Sequence, residues 1–180
     1  MKFSENWLRH HVPTTASRDQ LAATLTAIGL EVEEVTPLGD ALDGVVVARI
    51  VSATRHPEAD RLQVCEVDTG NGIVQIVCGA PNARAGLIAP LATVGANLPG
   101  GIAIKAAKLR GVESFGMLCS AKELGVDPDA SGLLELPADA PVGTPLAQSL
   151  GLPDASIEIK LTPNRADCFS VRGIASDVAA

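Results

Sequence analysis

The chain has 180 residues, 47% of them apolar and 19% charged, with a mean hydropathy of +0.26. That composition excludes a disordered polypeptide, and no apolar run approaches the ~18 residues that a membrane-spanning helix needs. The formal net charge of −7 argues against a dedicated high-affinity nucleic-acid binder, because phosphate neutralisation supplies most of that affinity.

From the N-terminus, Met1-Lys2-Phe3-Ser4-Glu5-Asn6-Trp7 lacks the continuous apolar stretch of a secretory signal, so a cytoplasmic location without a membrane partner is expected. Ser4 opens a helical turn expected to carry Trp7 and Leu8 inward and to end before Pro13. Ser17-Arg18-Asp19-Gln20 is a capping box, and Leu21, Leu25 and Ile28 form the single apolar stripe of the helix it starts. Gly29 suits the position after that helix, where φ > 0 is wanted. Residues 30–35 then alternate apolar residues with glutamates, as a half-exposed strand does.

Residues 36–44 are a turn-rich joint and the first expected domain boundary. Strands are expected at 45–54, 62–67, 73–77, 87–94, 102–109, 116–119 and 133–136. Asn71-Gly72 is a positive-φ hairpin signal, and Leu98-Pro99-Gly100-Gly101 is a second hairpin turn. Short strands at regular spacing, each closed by a turn signal, point to a small β-barrel. Residues 121–124 read as a helical turn ended by Gly125. A second joint lies at 137–143, and Thr144-Pro145 supplies the N-cap and N1 of a short helix that Gly151 terminates.

Residues 156–161 alternate as a strand, Thr162-Pro163-Asn164-Arg165 turns it, and Asp167 is the expected cap of a last helix. That helix presents Val171, Ile174, Ala175 and Val178 on one face and carries no C-cap signal, so the chain is expected to belong to a longer polypeptide. The expected fold class is α+β: a barrel at 39–151 inserted into a discontinuous α/β domain made of 1–38 and 152–180.

Chemistry is sparse. Cys65, Cys78, Cys119 and Cys168 are widely spaced with no close ligand pair, so buried reduced thiols are expected and a metal site is not. Glycine-rich phosphate loops and Gly-x-Ser-x-Gly are absent, and Gly95, Gly100 and Gly101 read as turn glycines. Glu58, Asp60, Glu66 and Asp68 fit solvated alternation better than acid–base work. No catalytic residue is assigned.

The remaining signal is cationic. Arg55 and Arg61 flank the His56-Pro57 turn, in which Asp60 can bond backbone amides. Lys105, Lys108 and Arg110 recur on and just beyond one strand, with Gly111 and Ser114 following. These types can contact phosphates or base edges; the competing reading is a solvated rim. Between residues 39 and 151, eight Lys/Arg face twelve Asp/Glu, about −4, so any RNA contact there is local, weak or assisted by another domain. Phe115 is the one aromatic of that stretch, which disfavours single-strand stacking and leaves open a grip on a folded RNA backbone.

Three motifs occur in order: His56-Pro57-Glu58-Ala59-Asp60-Arg61-Leu62, Gln75-Ile76-Val77-Cys78-Gly79-Ala80-Pro81-Asn82, and Lys108-Leu109-Arg110-Gly111-Val112-Glu113-Ser114-Phe115-Gly116-Met117-Leu118. Together they resemble the EMAP-type tRNA-binding domain, an OB-fold. The flanks Met1-Lys2-Phe3-Ser4-Glu5-Asn6-Trp7-Leu8, Gly29-Leu30-Glu31-Val32-Glu33 and Leu161-Thr162-Pro163-Asn164-Arg165-Ala166-Asp167-Cys168 resemble the N-terminal region of bacterial phenylalanyl-tRNA synthetase β subunits. That resemblance implies a cytoplasmic α2β2 ligase that charges tRNA(Phe) using ATP and Mg²⁺, with the aminoacylation site in the α subunit. It implies no cofactor held by this chain, and partners in tRNA(Phe), the α subunit and the remainder of β. By the motif match, the residues expected to touch RNA are Arg55, His56, Arg61, Lys105, Lys108, Arg110 and Ser114. Asn82 and Met117 are expected to shape the rim, and Asn164 and Arg165 to fix their turn and its contacts with the rest of β. Two alternatives stand beside this reading: a bracing module with no RNA contact, and a free-standing tRNA-binding factor.

Overall fold

A computed structural model describes residues 1–38 and 42–180. Residues 39–41, part of the expected first joint, lie outside them. In chain order, β1 (Lys2–Ser4), α1 (Glu5–His11), α2 (Arg18–Ala27) and β2 (Glu31–Leu38) come first. There follow β3 (Val45–His56), β4 (Ala59–Asp68), β5 (Ile73–Cys78), β6 (Ile88–Ala92), β7 (Asn97–Leu98) and β8 (Ile102–Ala103). Next are β9 (Ala107–Leu109), β10 (Val112–Ser114), β11 (Met117–Leu118) and α3 (Leu146–Ser149). The chain ends with β12 (Asp154–Lys160), a 3-10 segment (Pro163–Cys168) and α4 (Val171–Val178). The architecture is mixed, mostly sheet with some helix. Contacts divide it into two compact units, Met1–Gly39 with Gly151–Ala180, and Asp40–Leu150.

In the first unit β12 is the central strand of an antiparallel sheet of order β1-β12-β2. Its alternation sends Ala155, Ile157 and Ile159 fully inward. Ile157 and Ile159 pack with Phe3, Leu8, Leu21, Leu25, Leu30, Val171 and Ile174 into one core. Ser4 caps α1 by accepting from the Trp7 amide, and its hydroxyl donates to Asp154 Oδ2 at 2.6 Å. The Ser17–Gln20 capping box is present on α2. Leu8 is buried, but Trp7 is 56% exposed rather than inward. Helix α1 has only seven residues and turns its Glu5–Leu8 stripe to the core, which leaves Trp7 to the side. Glu5 is buried with Arg9 and Arg18 bonded to it; burial alone would push its carboxyl up, yet the two guanidinium bonds outweigh that and lower it.

The last helix is capped by Ser170, not Asp167: Ser170 Oγ accepts from Gly173 N, and Asp167 lies in the 3-10 segment before it. Both residues are local candidates for a cap, and tertiary packing selects the later one. A Cβ on Gly173 would stand 2.0 Å from the Asp167 carbonyl. Arg165 fixes its turn by donating to the Ile28 carbonyl, Cys168 Sγ and Asp177. Asn164 is exposed.

In the second unit the sheet order is β11-β6-β3-β4-β5, all antiparallel, with the hairpins β7–β8 and β9–β10 beside it. Strand β3 pairs with β6 along Val45–Arg49 and with β4 from Arg49 to His56, bending at two register shifts. Its inward residues join Cys65, Val67, Ile76, Leu87, Ala89, Leu91 and Leu118 in the core. Among the described residues the ladder does not close into the expected barrel; β5 and β11 remain its edges. Single bonds bridge β5 to β10 and the residue after it instead: Phe115 N donates to the Gln75 carbonyl, and Gln75 Nε2 donates to the Glu113 carbonyl.

Other expectations in this unit are corrected. Residues 133–136 are not a strand, although they run beside one. Pro90 has no N–H to give its neighbour, so the Cys119 carbonyl accepts from Leu134 N, and Leu136 N then donates to the Ile88 carbonyl. Residues 121–124 form turns, and the expected strand at 102–109 is split into β8 and β9. In the β4–β5 loop the positive φ falls on Gly70 and Gly72, not on Asn71. The N-cap position of α3 is Pro145 rather than Thr144.

Candidate nucleic-acid interface

Two tight turns build the site. The first, Pro57-Glu58 between β3 and β4, is flanked by Arg55 and Arg61. The second, Arg110-Gly111 between β9 and β10, is flanked by Lys108. Arg110 has φ 45° and Gly111 φ 85°, so both central residues are left-handed, as the turn that matches strand twist requires. Arginine is a poor occupant of that first position, where asparagine, aspartate or glycine would adopt the conformation at less cost.

The turns are tied together. His56 is only 2% exposed: its Nδ1 accepts from Glu58 N at 3.0 Å, and its Nε2 stands 3.1 Å from the Leu109 carbonyl. Arg110 Nη1 reaches the Glu58 carbonyl at 3.4 Å. Arg55, Arg61, Lys108 and Arg110 are therefore exposed cations on two joined turns. Arg55 pairs with Asp60 at 2.6 Å, with side chains 73% and 87% exposed, so water and salt screen the pair and leave it exchangeable. Lys105 is exposed on the β8–β9 connection, at the margin of an open, mainly apolar groove of about 1050 Å³ lined by Leu62, Ile102, Ile104, Leu109 and Leu133.

Two of the seven motif residues are placed differently. His56 and Ser114 are buried and fully engaged, so neither side chain is presented to a ligand. Ser114 Oγ accepts from Val77 N at 3.0 Å and donates to the Gly116 carbonyl at 3.2 Å, sewing β5 to the end of β10. Their polar side chains read as surface groups in the sequence because one bonding partner of each lies tens of residues away.

Asn82 shapes the rim by clamping residues 132–135. It exchanges two bonds with Leu133 and, with Arg84, holds Glu135. The Arg84 bonds, and then that from Asn82, pull the Glu135 carboxyl down to about 2. All four cysteines are free and buried. Asp167, Cys168 and Asp177 bring donor atoms within 4.8 Å of one another, and the Arg165 guanidinium is bonded among them. Among the described residues no helix is long and apolar enough to cross a membrane.

The family model described as "Putative tRNA binding domain" matches residues 45–145, and the chain belongs to that family. The phenylalanine–tRNA ligase beta subunit of Xanthomonas campestris pv. campestris is 80% identical over 181 aligned positions, covering 100% of this chain and 23% of that protein. The beta subunit of the same name from Xylella fastidiosa is 71% identical with the same coverage. The chain thus spans 23% of the length of the curated relatives it matches. Among solved structures, a MetRS related protein from Pyrococcus horikoshii is 26% identical with a TM-score of 0.41, over 55% of this chain and 84% of that one.

Proposed function

We propose that this chain is a non-catalytic, tRNA-contacting segment of a phenylalanine–tRNA ligase beta subunit. Its partners are then tRNA(Phe), the α subunit and the remainder of β. In this reading residues 39–151 are an inserted OB-type domain and 1–38 with 152–180 a discontinuous α/β domain. The observation that carries the reading is the junction of two cation-bearing turns inside the stretch matched by the family model. Arg55, Arg61, Lys105, Lys108 and Arg110 are the phosphate contacts, while His56 and Ser114 hold the backbone that presents them. With so few cations the contact is a local grip on the RNA backbone that adds to binding elsewhere in the ligase.

ATP and Mg²⁺ belong to the ligase as a whole. Among the described residues neither fits: Gly100 and Gly101 make the β7–β8 turn, and the one cluster of three donors found there is already bonded to Arg165.

The test uses the assembled α2β2 ligase carrying Lys105→Glu with Arg110→Glu. The tRNA KM should rise at low salt with kcat unchanged, and the salt dependence of kcat/KM should lose about two units of slope. An unchanged KM removes the RNA contact. The second reading, a bracing module, would then stand; the balance of eight cations to twelve carboxylates between 39 and 151 favours it.

A further inference from the structure

We infer that His56 is a positioning residue that locks the two cation-bearing turns into a single rim, so that Arg55 and Arg61 engage RNA together with Lys108 and Arg110. The inference rests on the tRNA-contacting reading above and names the part that assembles the surface.

The bonding pattern assigns the ring's protonation. A backbone amide can only donate, so Nδ1, which takes the Glu58 N–H, carries a lone pair. The proton of the neutral ring is then on Nε2, where it donates to the Leu109 carbonyl, an atom that can only accept. Each ring nitrogen thus has a different task. The Nδ1 bond is local, two residues along, and shapes the first turn. The Nε2 bond spans 53 residues and reaches the last residue of β9, next to Arg110. The Arg110–Glu58 contact, at 3.4 Å, crosses the same gap the other way.

Of the two bonds across this gap, the Nε2 bond is partly buried and the Arg110 bond is exposed. Strands β9 and β10 pair with each other in a separate two-stranded ladder, so this hairpin is not held by the main sheet's ladder. Its fixed points are the His56 bond near its tip, the exposed Arg110–Glu58 contact beside that bond, and the Gln75–Glu113, Ser114 and Phe115 bonds along β10 and at its base. Without the tip contact the Arg110-Gly111 turn would pivot about its base. Lys108 and Arg110 would then no longer meet a phosphate array at the same time as Arg55 and Arg61. Correct spacing matters because cations fixed on one rim meet several phosphates without a separate ordering cost for each.

Two substitutions separate the two nitrogens. His56→Asn places an acceptor where Nδ1 stood but cannot reach Leu109. His56→Gln places an N–H donor where Nε2 stood and loses the Glu58 bond. Both are made in the assembled ligase, alongside Arg55→Glu with Arg61→Glu as a direct probe of RNA contact. The positioning role predicts that His56→Asn raises the tRNA KM by about tenfold at low salt and removes about two units of salt slope. It further predicts that kcat stays within about twofold and that His56→Gln, which keeps the bond to Leu109, raises KM clearly less than His56→Asn does.

Independently of RNA, ¹⁵N spectra of the histidines in the 180-residue chain should show His56 protonated at Nε2 with a hydrogen-bonded lone pair at Nδ1. An Nδ1–H tautomer overturns the inference. So does a KM raised as much in His56→Gln as in His56→Asn, or a normal KM in His56→Asn while the arginine reversals raise it; in either case the RNA contact itself stands. If the arginine reversals leave KM unchanged, the tRNA-contacting reading falls, and the role of His56 in it falls too.

Discussion

Asn82 and Leu133 are joined as a strand pair would be, although one partner is a side chain. Asn82 Oδ1 accepts from Leu133 N at 2.8 Å, and Asn82 Nδ2 donates to the Leu133 carbonyl at 3.0 Å. The carboxamide reproduces a peptide edge and seats residues 132–135 against the sheet. Gly132 permits this approach, since a Cβ there would stand 2.6 Å from Asn82 Oδ1.

Replacement of Asn82 by alanine should therefore destabilise the second unit by about 2 kcal/mol, because two buried backbone groups of Leu133 lose their partners. The denaturant midpoint measures this. Asn82→Asp keeps the acceptor for Leu133 N but sets a carboxylate oxygen against the Leu133 carbonyl and Glu135, so it should recover none of the loss at neutral pH.

Gly173→Ala should cost about 3 kcal/mol or more, since its methyl would meet the Asp167 backbone oxygen at 2.0 Å and no rotamer relieves a backbone clash. Gly79→Ala is the matched control. Its new methyl meets only the mobile end of Leu62 at 3.3 Å, and the cost should stay below about 1 kcal/mol. Thermal unfolding of the two variants compares them directly.

Glu135 predicts a pH dependence of definite sign. Its carboxyl is lowered in the fold from 4.5 to about 2, so the folded state prefers the ionised form more than the unfolded chain does. The stabilisation is complete above the ordinary carboxylate value and disappears as pH falls from about 4.5 through about 2. Stability curves of the parent and Glu135→Gln should therefore run apart above pH 5 and converge towards pH 2. Parallel curves over that interval would contradict the pairing with Arg84.

The thiols should be inert in the native state. Burial pushes Cys65 up to about 11 and Cys119 up to about 12, and it raises Cys78 and Cys168 as well. A thiolate-specific reagent at pH 8 should label none of the four at a rate faster than global or local opening. Rapid labelling of any one would show that its burial is transient.

Much of the molecule was legible in the linear chain wherever a local rule decides the outcome. The Ser17-Arg18-Asp19-Gln20 box specifies its helix start because all its partners lie within three residues. The alternation along β12 specifies its inner face because the strand repeat is two. The three motifs, read as a set, led to the family that the comparisons show. Tertiary contacts alone decided which of two possible caps begins the last helix. They also turned Trp7 outward and left the sheet edges of the second unit bridged rather than laddered. Most consequentially, they buried His56 and Ser114, whose types and positions suggest exposed contacts. No local pattern can reveal that burial, because the carbonyl that fixes His56 is 53 residues distant, and a polar side chain goes inside only where the fold supplies it a partner.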